Sequence, residues 1–413
     1  MNVTGIIAEY NPFHNGHLYQ LTEAKMQTNA DYVIVAMSGN FTQRGVPAII
    51  DKYARAEMAL KNGADLIIEI PSLFASSSAE LFAHAGISLF DHCKVVSSIS
   101  FGCETPSIEK LKDLSLLLSE ENALFKSSIQ GHLKNGLSYP LARLSALKET
   151  LGCDCKDYEI YTDLLSSPNN ILALEYLKAI HMRNSNLEPF PIKRQGNDYN
   201  QTSLSGIFSS ATSIRKNMME QGTEFLDAIP DSVFESFAAY KKDFGVMDEN
   251  MLSQMLFYQL LSLQSVGYAH FFDCSKDLSN RISKNLPFYT SFHDFCDLLK
   301  SKDITFTRIQ RVLLHILLQQ TQQDFLFAKG LDYVPYLKIL GFRKSASPLL
   351  NELKKNADIP MITKLSNAQH LLNPDAFSFF QKNLFADQVY YATQSIHTKK
   401  ILKGELSRSP VII

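Results

Sequence analysis

The first hundred residues alternate between short apolar runs and segments with helical spacing of apolar side chains. Four apolar runs are each ended by turn residues, as is typical of buried strands, and they lie at 3–8, 31–37, 64–70 and 95–101. Helical spacing follows the first three runs, from Gly16 onward and at 51–62 and 79–89. Because the connections are short, the pattern favours a parallel sheet covered by helices on both faces.

Ligands of such sheets bind beyond the carboxyl ends of the strands. We therefore expect the groups that follow the strand ends to meet at one edge, namely His14, the loop 38–45, Pro71 and Gly102. Asp51 stands before a helical segment, and we interpret it as an N-cap in preference to a phosphate ligand.

The rest of the chain is dominated by helical spacing. Residues 107–160 resemble a charged helical insertion, a helix opens at Pro168, and 190–194 is predicted to be a short final strand. The predicted class is α/β. A Rossmann-like parallel sheet is expected in residues 1–225, with the insertion at about 107–160, and a mainly α-helical domain is expected in residues 226–413.

Composition places the chain among ordinary globular proteins. Of its 413 residues, 45% are hydrophobic and 20% are charged. No apolar run approaches the roughly 18 residues that span a bilayer, and the start lacks a basic and then apolar leader. The six cysteines are scattered, and Cys153 and Cys155 form the only close pair. We therefore expect reduced thiols, no metal site, no membrane contact and a cytoplasmic protein.

Charge is distributed unevenly along the chain. From residue 301 onward there are 15 Lys and Arg against 8 Asp and Glu, which leaves 25 against 34 in the first 300 residues. The difference, +7 against −9, hints at an acidic partner for the C-terminal part. On charge alone, a solvated basic face is the simpler interpretation.

His14-Asn-Gly-His17 follows the first strand and opens the first helix. A helix N-terminus attracts phosphate through unpaired N–H groups and the helix dipole. Gly16 would let the backbone approach a ligand, and an imidazole can donate a hydrogen bond without a fixed charge. The site is expected to act by positioning and charge stabilisation. Two exposed histidines in a polar turn are the plain alternative.

These residues resemble the His-x-Gly-His signature of the nucleotidylyltransferase (HUP) superfamily. Ser209-Ser-Ala-Thr-Ser-Ile-Arg215 is similar to its second signature, in which hydroxyls and an arginine at a helix start suit phosphate. The closer resemblance is to the tRNA(Met) cytidine acetate ligase family. It is carried by four stretches, at 9–17, 43–52, 63–71 and 168–172.

This resemblance implies that acetate attacks the α-phosphate of ATP, and that the wobble cytidine amine of elongator tRNA(Met) then takes the acetyl group to form N4-acetylcytidine. It also implies ATP with Mg²⁺, and no acetyl-CoA. His14 and His17 are the implied catalytic residues. The implied ATP-binding residues are Ile7, Ala8, Glu9, Tyr10, Asn11, Pro12, Phe13, His14, Asn15, Gly16, His17, Leu18, Tyr19, Gln20, Gly102, Asn169 (in preference to Asn170) and Arg194. Ser210, Thr212 and Arg215 are further phosphate candidates.

An RNA substrate would give the basic C-terminal part a role, since Lys and Arg neutralise RNA phosphates. The candidate tRNA-binding residues are Arg308, Arg311, Arg343, Lys344, Lys399, Lys400, Lys403 and Arg408. Tyr390 and Tyr391 would suit base stacking, although their helical spacing favours the core.

Two other functions fit parts of the pattern. A small-molecule adenylyltransferase of the coenzyme A or NAD precursor type shares both signatures, but it has no use for a basic helical region of this size. A non-catalytic RNA-binding protein with a relic nucleotide fold would not need the intact histidine pair.

Overall fold

The computed structural model describes residues 1–119, 123–135, 137, 139–151, 158–195, 204, 206–220 and 222–413. The close cysteine pair, Cys153 and Cys155, lies outside these residues. The four described cysteines, Cys93, Cys103, Cys274 and Cys296, are buried free thiols.

One mixed sheet of eight strands forms the centre of the protein. Its strands are β1 (Val3–Ala8), β2 (Tyr32–Ser38), β3 (Leu66–Ile70), β4 (Ser98–Cys103), β5 (Glu188–Lys193), β6 (Leu337–Phe342), β7 (Met361–Ile362) and β8 (Val411–Ile412). The order is β5-β4-β1-β2-β3-β6-β7, and β8 pairs with β6. Strands β1 to β5 are mutually parallel, as the strand–helix alternation predicts.

Side chains alternate between two cores along the strands, because successive residues of a strand point to opposite faces. On β2, Ile34 and Ala36 pack into one core, while Val33, Val35 and Met37 pack into the other. Helices cover both faces, so the strands read as continuous apolar runs.

The first four helices pack around the sheet: α1 (Asn15–Gln27), α2 (Lys52–Lys61), α3 (Ser72–Ala75) and α4 (Ala79–Cys93). The region predicted as an insertion is helical, with α5 (Ile108–Ser119), α6 (Ala123–Lys134), α7 (Tyr139–Leu151) and α8 (Tyr158–Ser166), followed by α9 (Pro168–Met182). Asp51 caps α2 as predicted, since its carboxylate accepts the Ala54 N–H at 2.8 Å.

The remaining chain is mainly helical. Its helices are α10 (Ala211–Met219), α11 (Asp231–Phe244), α12 (Ser253–Leu263), α13 (Lys276–Asn285), α14 (Phe292–Leu299), α15 (Phe306–Leu317), α16 (Gln322–Gly330), α17 (Ser347–Asn356), α18 (Ala368–Leu371) and α19 (Pro374–Thr398). A third core joins α12 to α15 with α19. None of the described helices combines the length and the apolar character needed to cross a membrane.

One expectation about the sheet is wrong. The strand near 190 is not the last, because β6, β7 and β8 come from the C-terminal part and extend the sheet. The parallel arrangement predicted for residues 1–225 is confirmed by β1 to β5, whereas β6 joins from the C-terminal part and runs antiparallel to β3. Pairing between distant segments, which local periodicity does not encode, is the reason. The boundary at 225 between two domains stays a prediction.

A buried ionic cluster joins the C-terminal part to the sheet. Lys338 on β6 contacts Glu69 at 2.7 Å, Glu405 at 2.8 Å and Asp387 at 3.2 Å, and Lys52 contacts the same three carboxylates. These carboxylates are the one group in the described chain with metal-ligand spacing, and the two ammonium groups balance two of their three charges. Burial and the nearby Glu405 carboxylate raise the pKa of Asp387 to about 7.

Candidate active site

A cavity opens at the carboxyl ends of β1 and β4. The chain runs from β1 through β2 to β3 on one side, whereas β4 and β5 lie on the other. This change of direction is the switch point at which α/β sheets bind ligands. The lining includes His14, Gln43, Arg44 and Gly102, which follow or end three different strands. Pro71 does not reach it, because the adjoining Ser72 N–H binds Asn383 of α19 at 2.8 Å beyond the end of β3.

His14 and His17 cap helix α1 in place of the usual hydroxyl or carboxylate residues. The Gly16 N–H donates to His14 Nδ1 at 3.1 Å, and the His14 N–H donates to His17 Nδ1 at 3.2 Å. The two rings stack with centroids 3.6 Å apart. In both rings Nδ1 is therefore an acceptor, which assigns the proton of the neutral ring to Nε2.

Both histidines are neutral at physiological pH. Burial, helped by the charges of Arg194 and Arg215, lowers the pKa of His14 to about 3. Burial and the neighbouring His14 and Arg194 lower the pKa of His17 well below its ordinary value. The pair thus offers two Nε2–H hydrogen-bond donors. Because both rings are neutral, neither adds a positive charge that would hold an anion.

Gly16 has a different role from the expected one. A Cβ at this position would lie 2.9 Å from Cε1 of His14. The glycine therefore makes room for the capping imidazole, and close approach of a ligand is not needed to explain it. Gly102 is similar: it lies within β4, and a Cβ there would lie 3.3 Å from Cγ of Arg194.

Arg194 follows β5 and is joined to the start of α9. Its Nη1 donates to Asn169 Oδ1 at 3.4 Å, and Asn169 Nδ2 donates to Glu104 at 2.6 Å. Asn170, in contrast, is fully buried and accepts the Glu104 and Thr105 N–H groups. Of the two asparagines, Asn169 is the one that lines the cavity.

The second motif meets the first across the cavity. Ser210 caps α10 by accepting the Ser213 N–H at 3.1 Å. Arg215 donates to the Asn11 carbonyl at 2.7 Å and to Thr212 Oγ1 at 3.2 Å. Helix α10 therefore directs its N-terminus, with Ser210 and Thr212, at the same space as the histidine pair.

Most of the residues predicted from sequence gather here. The cavity is lined by Ile7, Ala8, Glu9, Tyr10, Asn11, His14, His17, Gln20, Gly102, Asn169, Arg194, Ser210, Thr212 and Arg215. Gly16 and Tyr19 line a smaller pocket next to it. Pro12, Phe13, Asn15 and Leu18 line neither pocket; Phe13 is fully buried, and Asn15 binds the Ile207 and Asp227 carbonyls instead.

Several lining residues carry no recognisable signal in the sequence. Phe82, Phe101, Leu172 and Tyr176 form an apolar wall, with the Phe101 and Tyr176 rings 5.7 Å apart. Aromatic residues at helical or strand spacing look like core, so no local signal separates them from it. Gln43 and Arg44 lie within a stretch that carries the family resemblance, and the sequence indicates no role for either.

The turn that carries Gln43 and Arg44 is held rigidly. Phe41 bridges to Pro47, and the Gly45 N–H donates to the Thr42 carbonyl at 2.9 Å. Gly45 has φ +78° and packs against the backbone of Arg311 on α15, where a Cβ would clash. The C-terminal helices therefore support one wall of the cavity.

The cysteine nearest to the motifs takes no part in the cavity. Cys103 is buried, its thiol faces the Ile192 carbonyl at 3.9 Å, and burial raises its pKa to about 12. A thiol in this state is a poor nucleophile and a poor acyl carrier.

The predicted tRNA-binding residues divide into two groups. Lys344, Lys399, Lys400 and Lys403 are exposed. The four arginines of the set are partly buried and make internal contacts. Arg308 pairs with Asp273 at 2.9 Å, and Arg311 approaches the same carboxylate at 3.9 Å. Arg343 binds the Leu60 carbonyl at 3.1 Å, and Arg408 pairs with Asp51 at 2.9 Å. Tyr390 and Tyr391 are buried in the third core, as their helical spacing favours, and the alternative of base stacking does not fit them.

Comparison with known proteins accounts for this arrangement. A family model described as HIGH Nucleotidyl Transferase matches residues 1–404. The tRNA(Met) cytidine acetate ligase of Thermoanaerobacter sp. (strain X514) is 40% identical over 392 residues, which are 94% of this chain and 95% of that protein. The chain belongs to the tRNA(Met) cytidine acetate ligase family.

Other members of the family agree with this assignment. The ligase of Clostridium perfringens (strain SM101 / Type A) is 39% identical over 374 residues, which are 89% of this chain and 91% of that protein. Among solved structures, apo Thermotoga maritima TmcAL is similar with a TM-score of 0.93 at 30% identity, and both chains are fully covered. TmcAL bound with alpha-thio ATP gives 0.91 at the same identity and coverage. The predicted family and α/β fold are thus confirmed.

Proposed function

We propose that this protein is an ATP-dependent ligase that activates acetate as acetyl-adenylate and acetylates the wobble cytidine amine of elongator tRNA(Met), forming N4-acetylcytidine. One observation carries the ATP half of the proposal. Two neutral histidines present Nε2–H donors to a cavity that Arg194, Arg215 and the start of α10 also line. Relatives named for this reaction, at about 40% identity over most of the chain, support the substrates.

In the first step, an acetate oxygen forms a bond to the α-phosphorus of ATP, and the bond to pyrophosphate breaks. Charge shifts to the departing phosphates. Preorganised donors that need no reorganisation stabilise such charge best. We assign this role to His14 and His17, with Arg194 and Arg215 binding phosphate through their planar forks. No side chain becomes covalently bonded.

Mg²⁺ fits as a companion of ATP. The described lining residues include three arginines and a single carboxylate, so they do not form a protein cage for a divalent cation. Mg²⁺ commonly keeps several waters and binds phosphate oxygens. We infer that it arrives with the triphosphate and neutralises part of its charge.

The acetyl group enters as acetate, and acetyl-CoA is not required.

The tRNA is expected to contact four exposed lysines, Lys344, Lys399, Lys400 and Lys403. This reaction would take place in the cytoplasm, where tRNA resides. Through α15, which supports the turn carrying Arg44, the C-terminal helices connect such a surface to the cavity.

The test uses ATP, labelled acetate and bulk tRNA. Acetate-dependent pyrophosphate release, followed by label in elongator tRNA(Met) as N4-acetylcytidine, is the expected result. Acetyl-CoA in place of acetate and ATP should give no product. Adenylylation of a pantetheine or nicotinamide nucleotide, without label in tRNA, would instead identify a small-molecule adenylyltransferase.

A further inference from the structure

Glu9 is unusual among the residues that line the cavity. It is the only acidic residue in the described lining, which also holds Arg44, Arg194 and Arg215. Both substrates of the first step, ATP and acetate, are anions, and a carboxylate beside them weakens their binding by like-charge repulsion. Its presence calls for a chemical role in which a negative charge or a proton acceptor is useful.

The structure holds Glu9 in place at both ends. Its carboxylate Oε1 accepts the Gln43 N–H at 2.7 Å. Its backbone carbonyl accepts from Nη1 of the fully buried Arg55 at 2.5 Å, and the same nitrogen binds the Ser38 carbonyl at 3.1 Å. Within the described part of the chain, Gln43 is the one hydrogen-bond donor to the carboxylate, so Oε2 remains available to a ligand.

The second step of the proposed reaction needs a proton acceptor. The exocyclic amine of cytidine carries two protons and must lose one when it becomes an amide. The histidines cannot take this proton, because Nδ1 of each ring already accepts a backbone N–H and Nε2 carries the proton. Arginines stay protonated, and burial raises the pKa of Tyr10 and of Tyr176 above the ordinary value. Among the described lining side chains, Glu9 therefore carries the one carboxylate that can accept this proton.

We propose that Glu9 is the general base of acetyl transfer, an inference that rests on the proposed function. The cytidine N4 lone pair forms the C–N bond to the acetyl carbonyl carbon, and the N4 proton passes to Glu9 Oε2. The bond between the acetyl carbon and the phosphate oxygen then breaks, and its electron pair leaves with AMP. Release of the proton from Glu9 to water completes the step.

The decisive variant is Glu9→Gln, whose amide oxygen can still accept the Gln43 N–H while basicity is lost. Acetate-dependent ATP–pyrophosphate exchange measures the first step. Single-turnover transfer of labelled acetate to elongator tRNA(Met) measures the second. We expect exchange to change at most a few-fold, whereas transfer to tRNA falls roughly 100- to 10,000-fold, the range of general-base catalysis.

Hydroxylamine distinguishes loss of the base from a structural defect, because a structural defect would also slow the formation of acetohydroxamate. This nucleophile attacks acyl-adenylates without base assistance, so Glu9→Gln and the wild type should form acetohydroxamate at similar rates. Glu57→Gln is the matched control, because Glu57 lies on α2 away from the lining and pairs at 2.7 Å with Lys61. It should leave all three rates unchanged.

Each other outcome overturns the inference in a recognisable way. Normal transfer to tRNA by Glu9→Gln would mean that the proton leaves by another route, such as the departing phosphate. Equal loss of exchange and transfer would make Glu9 a positioning residue for ATP, and exchange restored by excess Mg²⁺ would make it a metal ligand. If the wild type itself exchanges pyrophosphate but acetylates no tRNA, the proposed function fails and the inference falls with it.

Discussion

The two nitrogens of His14 have separable roles, and one substitution can remove either role alone. Nδ1 accepts the Gly16 N–H at 3.1 Å and caps helix α1, whereas Nε2–H is assigned to the phosphates. Asparagine is among the best N-cap residues, and its carbonyl oxygen can take the place of Nδ1. It does not extend as far as Nε2. His14→Asn should therefore keep the cap and lose the donor, while His14→Ala loses both.

The magnitudes follow from these contacts. Loss of a preorganised donor to a developing oxyanion costs roughly 100- to 1000-fold in rate. Loss of an N-cap costs about 1 kcal/mol of stability. We expect both variants to lose the first step to a similar degree. The unfolding free energy should fall by about 1 kcal/mol in His14→Ala and by much less in His14→Asn.

Acetate-dependent ATP–pyrophosphate exchange measures the first loss, and denaturant unfolding measures the second. Ser275→Ala is the matched control, since Ser275 caps α13 by accepting the Leu278 N–H at 3.2 Å and does not line the cavity. It should lose stability like His14→Ala and keep the exchange rate. Near-normal exchange by His14→Asn, or a stability as low as that of His14→Ala, would refute the assignment of the two nitrogens.

Three further predictions concern acid stability, the ionic cluster and RNA binding. Below pH 6.5 the unfolded chain binds a proton at His14, whereas the folded chain binds it only near pH 3, so acidification should destabilise the free enzyme, by about 2 kcal/mol at pH 5 from this group. Lys338→Met should cost about 3–5 kcal/mol of unfolding free energy, because it removes one of the two described ammonium groups that contact three buried carboxylates and leaves them with Lys52. Charge reversal of Lys399 and Lys403 together should weaken tRNA binding and leave acetate-dependent pyrophosphate exchange unchanged, since both side chains are exposed.

Each of these has its own control. His14→Asn should show a smaller loss of stability on acidification than the wild type in the same denaturant series. Lys355→Met removes an exposed pair with Glu352 and should change stability by less than about 1 kcal/mol, so an equal effect at Lys338 would argue against the buried cluster. For the two lysines, binding measured by filter retention should fall while acetate-dependent pyrophosphate exchange stays constant; an equal loss of both would assign this region to the fold.

The sequence by itself determined the strands β1 to β4, the helix starts and the histidine pair. These features depend on residues a few positions apart. Apolar runs of five to seven residues bury on both sides of a parallel sheet, Asp51 and Ser210 cap the helices that they precede, and the strand order then brings His14 and Arg194 to one cavity.

Only the tertiary structure decided the features that depend on distant partners. Strand β6 lies in a region of helical spacing, and Lys338 within it can be buried because Glu69, Asp387 and Glu405 surround its ammonium group. Phe101 and Tyr176 look like core in the sequence and become a cavity wall because β4 and α9 leave a gap at the switch point. Local periodicity indicates which face of an element is apolar, but not which element packs against that face. The packing partner is determined by the free energy of long-range contacts.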